Sequence, residues 1–310
     1  MKQANKIRWT TPEARLALDQ TIKIFGCGGM INSDLLPFGR VDGFFDMRGF
    51  PLSANFHPRM LVKCIFKGFD FSEASFRDLW IEGCVFDNCV FNKAELVGIK
   101  DHANKFINCS FVGTCLGDAG LGHKGSSYKN CLFDRTSFDK ARFIRAEFDD
   151  CKFDQCRFKG VDFNASSFVN CEFSGKIEDV WFRGGFALKD DISDFGVPRK
   201  NAMKNVSFEK ASLWSMTFSN QCDLSTIKLP LEGNYKLYSN WRLRLEFVKK
   251  ETSNWTLEEK KQGEIFVNSY LVHAKTQDWY LLNCEETLQE LGEDLGLKII
   301  AGLDRWGKEK

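Results

Sequence analysis

Between Leu132 and Ser174 phenylalanine returns at every fifth residue: Phe133, Phe138, Phe143, Phe148, Phe153, Phe158, Phe163, Phe168 and Phe173. Two residues before each stands a smaller side chain, Cys131, Thr136, Ala141, Ala146, Cys151, Cys156, Val161, Ser166 and Cys171. The other three positions of each five are mostly polar or charged. An amphipathic helix places apolar residues three and four apart, and a half-buried strand places them two apart. A period of five fits neither and predicts a repeat architecture. With two of every five residues pointing inward, each five makes one short side and a corner. Four sides close a square coil of about 20 residues, and coils stack at the strand spacing of about 4.8 Å. Cys131, Cys151 and Cys171 then form one inward column, and Phe133, Phe153 and Phe173 another.

The rhythm extends in both directions. It starts at Phe56 and runs through Leu61, Phe66, Phe71, Phe76, Ile81, Phe86, Phe91 and Leu96. It weakens through Asp101 and resumes at Phe106, Phe111, Leu116 and Leu121. Between Leu121 and Tyr128 the spacing lengthens, so the GHKGSS segment is expected to bulge from a corner. After Phe173 the rhythm continues loosely through Trp181 or Phe182, and residues 183–203 read as an excursion from the coil. Phe208, Leu213 and Phe218 restore it, and Leu224 and Leu229 end it after a slip. About seven to eight coils result, a rod of roughly 35 Å.

The segment CLFDRTSFDKARFIRAEFDDCKFDQCRFKGVDFNASSFVNCEF resembles the pentapeptide-repeat proteins. The resemblance implies an all-β solenoid, a right-handed quadrilateral β-helix; it supplies the handedness, which the spacing does not. This chain departs from the usual family pattern by using Phe more than Leu at the centre. It also places Cys, Thr, Val or Ser where Ala is commonest.

Three regions are expected. Residues 1–55 form a short N-terminal helical region and an irregular cap: Thr11 caps a helix with Pro12 at its first position and Gly26 at its end. Ala14, Leu18, Ile22 and Phe25 make its apolar stripe. Residues 56–230 are the β-helix with its excursion. Residues 231–310 form a C-terminal α-helical module for capping or dimerisation. Leu237, Trp241, Leu245 and Val248 share one helical face there, Thr256 and Glu259 spell a capping box, and Asn283 and Glu286 repeat that pattern before Leu288, Leu291 and Leu295. An open coil end exposes unpaired backbone, so this module is expected to cover the last coil, with an uncovered part available for a homodimer.

Composition changes the picture in two ways. Of the 12 cysteines, Cys64, Cys84, Cys89, Cys109, Cys131, Cys151, Cys156 and Cys171 fall at the small inward position. They read as small buried fillers in a reducing compartment, which with the lack of a signal-like N-terminal run gives a cytoplasmic expectation. No CxxC pair points to zinc or to a redox site, and no stretch is long and apolar enough to suggest a membrane span. The formal charge is +1, and residues 56–230 carry 24 Lys or Arg against 23 Asp or Glu. That balance argues against direct nucleic-acid binding. Some members of the resembled family imitate duplex DNA with an acidic rod and protect a type II topoisomerase. A near-neutral rod does not copy that field, so such a role would have to run through loops.

Chemistry is sparse. His57, His102, His123 and His273 are dispersed, with no metal-ligand spacing. No GxSxG elbow is present, and Gly26, Gly28 and Gly29 lack the rest of a phosphate loop. No cofactor or metal is expected. The candidate site is the excursion, where Phe186, Ile192 and Phe195 sit beside Asp190, Asp191 and Asp194 as partner contacts. The expected function is a non-catalytic protein-binding scaffold with an unidentified protein partner. Two alternatives stand beside it: a modulator or protector of DNA gyrase or another type II topoisomerase, and an enzyme with its site in the C-terminal helical module.

Overall fold

The structure, a computed structural model, describes residues 2–31, 36–52, 60–188, 190–200 and 202–306. The start of the rhythm at Phe56 and the histidine His57 lie outside the described residues.

The period of five builds a four-sided β-solenoid. One side stacks Cys64–Lys67, Val85–Asp87, Lys105–Ile107, Ser127–Lys129, Glu147–Asp149 and Ser167–Val169 as parallel strands, with Phe66 over Phe86, Phe106, Tyr128, Phe148 and Phe168. That eight-stranded sheet spans roughly 35 Å at the strand repeat. Ring stacking follows the same repeat: Phe86 to Phe106 is 4.9 Å between centroids at 4°. On the next side Phe133, Phe153 and Phe173 stack at 5.0 Å and 4.6 Å.

Corners need a backbone that turns outward, and a residue with positive φ supplies it. Asn88, Asn108, Asn130 and Asn170 take it at φ 51–54°, a region that Asn tolerates better than most L-residues. Their amides also form a rung: Asn130 Nδ2 donates to Asn108 Oδ1 at 2.7 Å.

The small inward position is more than a filler. The Cys151 thiol donates to the carbonyl of Tyr128 at 3.3 Å, and that of Cys156 to Phe133 at 3.1 Å. Thr114 does the same to Phe91 at 2.7 Å. Cys, Thr and Ser thus supply a donor where alanine supplies none.

The lapse at Asp101 has a structural cause. Asp101 occupies the central inward position, between Ile81 and Leu121 of the adjoining coils, and is fully buried. Its carboxylate accepts from Ser126 Oγ at 2.7 Å, Tyr128 Oη at 2.7 Å, Gly122 N at 2.9 Å and Asn104 Nδ2 at 2.5 Å. Burial pushes its carboxyl above the usual range, while those four donors pull the other way. Two residues are inserted where this network is served, since Lys105 pairs with Ser127, whereas Val85 pairs with Lys105. One enters as a bulge between Gly120 and His123, and the other between His123 and Ser127. Gly122 is required in it: φ is +87°, and a Cβ would lie 2.6 Å from the backbone of Ala146.

Both ends are covered. Helices α1 (Lys2–Ile7) and α2 (Pro12–Cys27) close the first coil. Thr11 caps α2, which ends against Gly28 rather than Gly26, and Phe25 meets Phe66 edge-on at 4.9 Å. Gly29–Met30 and Phe44–Asp46 already pair with coil strands, before the rhythm is readable. Arg8 and Arg48 clamp buried Asp46; burial raises its carboxyl, but the hydrogen bonds from Arg8 and then Arg48 outweigh that and hold it well below the usual range.

At the other end, Glu172–Arg183 and Ser207–Ser219 are long strands that bend continuously around three sides. The C-terminal module adds α4 (Trp241–Glu251), α5 (Leu257–Ala274), α6 (Cys284–Leu291) and α7 (Glu293–Arg305), after the five-residue α3 (Asp191–Phe195) of the excursion. The Thr256–Glu259 capping box forms. Leu237 does not join the helical face expected of it. It lies in Tyr235–Tyr238, which pairs antiparallel with Tyr280–Asn283, and Asn240 in the left-handed conformation ends that strand before α4.

The module closes the coil edge with side chains instead of another strand. Gln277 takes both Cys222 N and Cys222 O, at 2.9 Å and 2.6 Å. Asn283 Nδ2 and Tyr280 Oη donate to the carbonyls of Leu213 and Met216. Glu286 accepts from Ser215 N at 2.9 Å. An edge left unpaired would template aggregation, and this arrangement blocks it.

Candidate functional site

The chain leaves the rod after Arg183 and returns at Met203. Gly184 makes the exit possible, since a Cβ there would lie 2.5 Å from the carbonyl of Gln221 in the next coil. The excursion then folds back along the rod instead of projecting freely.

Its inner side is built from aromatic and basic groups. Phe186 and Phe195 meet at 5.9 Å. Asn220 Nδ2 donates to the Phe186 carbonyl at 3.2 Å, and Arg145 Nη1 donates to the Phe195 carbonyl at 2.6 Å. Arg199 bridges Glu147 and Asp149, each at 2.7 Å. Phe195 stands edge-on against His123 at 5.4 Å and 82°. His123 lies over His102 at 4.7 Å, and His102 over Trp80 at 4.1 Å. The histidines that are dispersed in sequence are therefore partly assembled in space: coil stacking aligns Trp80, His102 and His123 into an outer ladder with Phe195 at its end. Sequence reasoning missed this because a one-residue shift in the bulge brings His123 into register with His102, off the regular spacing of 20.

The electrostatics of the ladder are asymmetric. Burial lowers His102, although Asp101 and Glu82 oppose the shift. Burial, then His102 and Lys100, hold His123 down to about 4.

Of the sequence-predicted contacts, Phe186 and Phe195 face inward and are half-buried, whereas Asp190, Ile192 and Asp194 are exposed and Asp191 is partly so. Leu188 (66% exposed) and Val197 (73%) join Ile192 on the outside and were not singled out from sequence. Among the described residues no three His, Cys, Asp or Glu side chains are grouped as a metal site, and the aspartates of the excursion stand as surface carboxylates.

A second concavity, about 380 Å³, lies between the module and the last coil, with Asp179, Ser215, Tyr270, His273, Glu286 and Glu290 among its walls. Glu286 is committed to the coil edge. Burial and then Arg183 lower His273, and its ring meets Trp181 edge-on at 5.2 Å. Among the described residues no hydrogen bond joins His273 to a hydroxyl or carboxylate of this cleft. The outer surface of the rod pairs opposite charges, as in Lys152–Glu172, Arg135–Asp134 and Lys228–Glu209, so no long acidic stripe forms along those columns. Among the described residues no helix is long and apolar enough to cross a membrane.

Comparison with known proteins adds the following. The family model for pentapeptide repeats (8 copies) matches residues 70–100. No curated protein matches the sequence. Similar solved structures include QnrB1, a plasmid-mediated fluoroquinolone resistance protein, at 16% identity over 56% of this chain and 77% of that one, with a TM-score of 0.31. HetL of the cyanobacterium Nostoc, involved in heterocyst differentiation regulation, shares 10% over 59% and 82%, TM-score 0.29. A pentapeptide repeat protein of the Arabidopsis thaliana thylakoid lumen shares 18% over 57% and 92%, TM-score 0.20. Overlaps this loose carry no functional argument. The period of five and the four-sided coil built from it are the pentapeptide-repeat fold, and the family model matches within it, over residues 70–100.

Proposed function

We propose that this protein is a non-catalytic scaffold whose rod fixes the excursion as a recognition element for a protein partner in a reducing compartment. One observation carries this reading. The excursion commits Phe186, Phe195, Arg145 and Arg199 to holding it on the rod, and leaves Leu188, Ile192 and Val197 exposed beside Asp190, Asp191 and Asp194. Apolar side chains held in water by a clamped segment suit a partner groove. The three carboxylates select one rimmed by Lys or Arg. The test is affinity capture with the wild-type chain and with Leu188→Asp/Ile192→Asp. The double variant is expected to keep its melting temperature and lose the partner; full retention of the partner removes the reading.

A second reading rests on resemblance to a family in which some proteins protect a type II topoisomerase. The excursion, and not the charge-paired rod, would make that contact. Supercoiling by purified DNA gyrase, with and without a fluoroquinolone, separates the two. An effect of the wild-type chain that Leu188→Asp/Ile192→Asp abolishes favours topoisomerase modulation; no effect at stoichiometric excess leaves the general scaffold.

A further inference from the structure

The excursion ends on two stacked imidazoles. His123 is half-buried between Phe195 and His102, and the Nδ1 of His102 is buried without a hydrogen-bond partner. The charged groups around them are largely committed. On the rod, Glu82 accepts from Trp80 Nε1 at 3.0 Å and pairs with Lys124 at 3.5 Å. Asp101, behind His102, serves four donors. Lys100 faces both imidazoles. From the next coil Arg145 reaches the Phe195 carbonyl and lies 3.9 Å from Glu147. On the excursion, Asp194 is exposed and accepts from Ser193 Oγ at 3.3 Å. Among the described residues no carboxylate is hydrogen-bonded to either ring. A proton arriving at half-buried His123 meets a second imidazole and Lys100.

We propose that the His102–His123 stack is a proton-operated latch: neutral rings hold Phe195 and the excursion on the rod, and protonation below neutral pH releases them. The inference rests on reading the excursion as the recognition element, and it adds regulation to that element.

The sign follows from linkage. Closed, His123 is held down to about 4 by burial, His102 and Lys100. Open, the exposed ring returns toward the ordinary value of about 6.5. The open form therefore takes the proton first. The closed state has its full strength above about pH 6.5 and weakens as pH falls toward about 4. Between pH 7.5 and 5 the closed-to-open ratio falls by up to about 30-fold.

Hydrogen–deuterium exchange on the full chain tests this without a partner. Amides of residues 186–197, corrected for intrinsic exchange, are expected to lose protection by a factor of ten or more between pH 7.5 and 5. Strand amides of Arg142–Ile144 and Glu147–Asp149 stay protected. His123→Phe keeps a ring under Phe195 and removes the titration, so its excursion shows the same protection at both pH values; His123→Gln is the second proton-free variant. A flat wild-type profile overturns the latch, as does a drop that survives in both variants. A flat profile leaves recognition by the excursion intact. Partner capture unaffected by Leu188→Asp/Ile192→Asp removes recognition and leaves the latch standing.

Discussion

Replacing Asp101 with Leu restores the apolar rhythm at the one central position where a carboxylate interrupts a run of Phe, Leu and Ile. A reading based on hydrophobicity alone expects stabilisation. The structure predicts the reverse. The substitution leaves the Gly122 amide, the Ser126 hydroxyl and the Tyr128 hydroxyl without acceptors, all three inside the coil. Asn104 loses one partner but keeps the Ile81 carbonyl at 2.8 Å. Three orphaned buried donors at about 1–3 kcal/mol each set a loss of roughly 3–9 kcal/mol. Burial of a leucine side chain returns about 2 kcal/mol, so a net loss on the order of 4 kcal/mol is expected. Urea denaturation followed by circular dichroism measures it. Tyr128→Phe makes the argument specific: alone it costs about 1.5–3 kcal/mol by deleting a bond to a carboxylate. In the Asp101→Leu background it is neutral or stabilising, because it deletes an orphan. A double-mutant cycle showing that strong coupling supports the network. Asp101→Leu equal to or more stable than wild type refutes the reasoning.

Other expectations follow from the same packing. Phe153→Ala, between Phe133 and Phe173, is expected to cost about 3–5 kcal/mol in denaturant melts; Asp154→Ala, exposed on the same strand, stays within about 0.5 kcal/mol. The folded chain exposes Cys27 and half-exposes Cys115 among 12 free thiols, so a thiol reagent titrates few of them before unfolding and all after; a set of disulfides in freshly isolated protein contradicts the reducing-compartment proposal. Gln277→Ala strips both bonds from Cys222 and is expected to raise aggregation on heating, read by light scattering, while leaving exchange at Val85–Asp87 unchanged. Homodimerisation through the module would use the outward Ile265 and Val272 of α5; Ile265→Glu/Val272→Glu then gives monomers in sedimentation, and a monomeric wild type removes the proposal.

The repeat was legible because five-residue spacing constrains every inward side chain at once. Phe66 to Phe173 could be stacked from sequence without knowing a single contact. The Asp101 lapse was visible as a weakening, but its meaning was not, since Tyr128 and Ser126 reach it from the adjoining coil, past a two-residue insertion that the regular spacing does not predict. The C-terminal strands at Tyr235–Tyr238 and Tyr280–Asn283 were hidden for a related reason: each is four residues long, and their pairing spans the whole of α4 and α5. Helix caps at Thr11, Thr256 and Asn283 are local, and the sequence announces them. In the excursion, apolar and acidic content marked a contact surface, while the division into inward Phe186 and Phe195 and outward Leu188, Ile192 and Val197 depends on Arg145 and His123 far away in the chain.

The central claim is that recognition runs through the outer side of the excursion on a rigid rod. The most direct measurement is the hydrogen-exchange footprint of the complex with a captured partner at pH 7.5. The account predicts new protection at residues 186–197, with Trp241–Glu251 and Glu293–Arg305 unchanged. Protection confined to the helical module or to rod faces away from the excursion contradicts it.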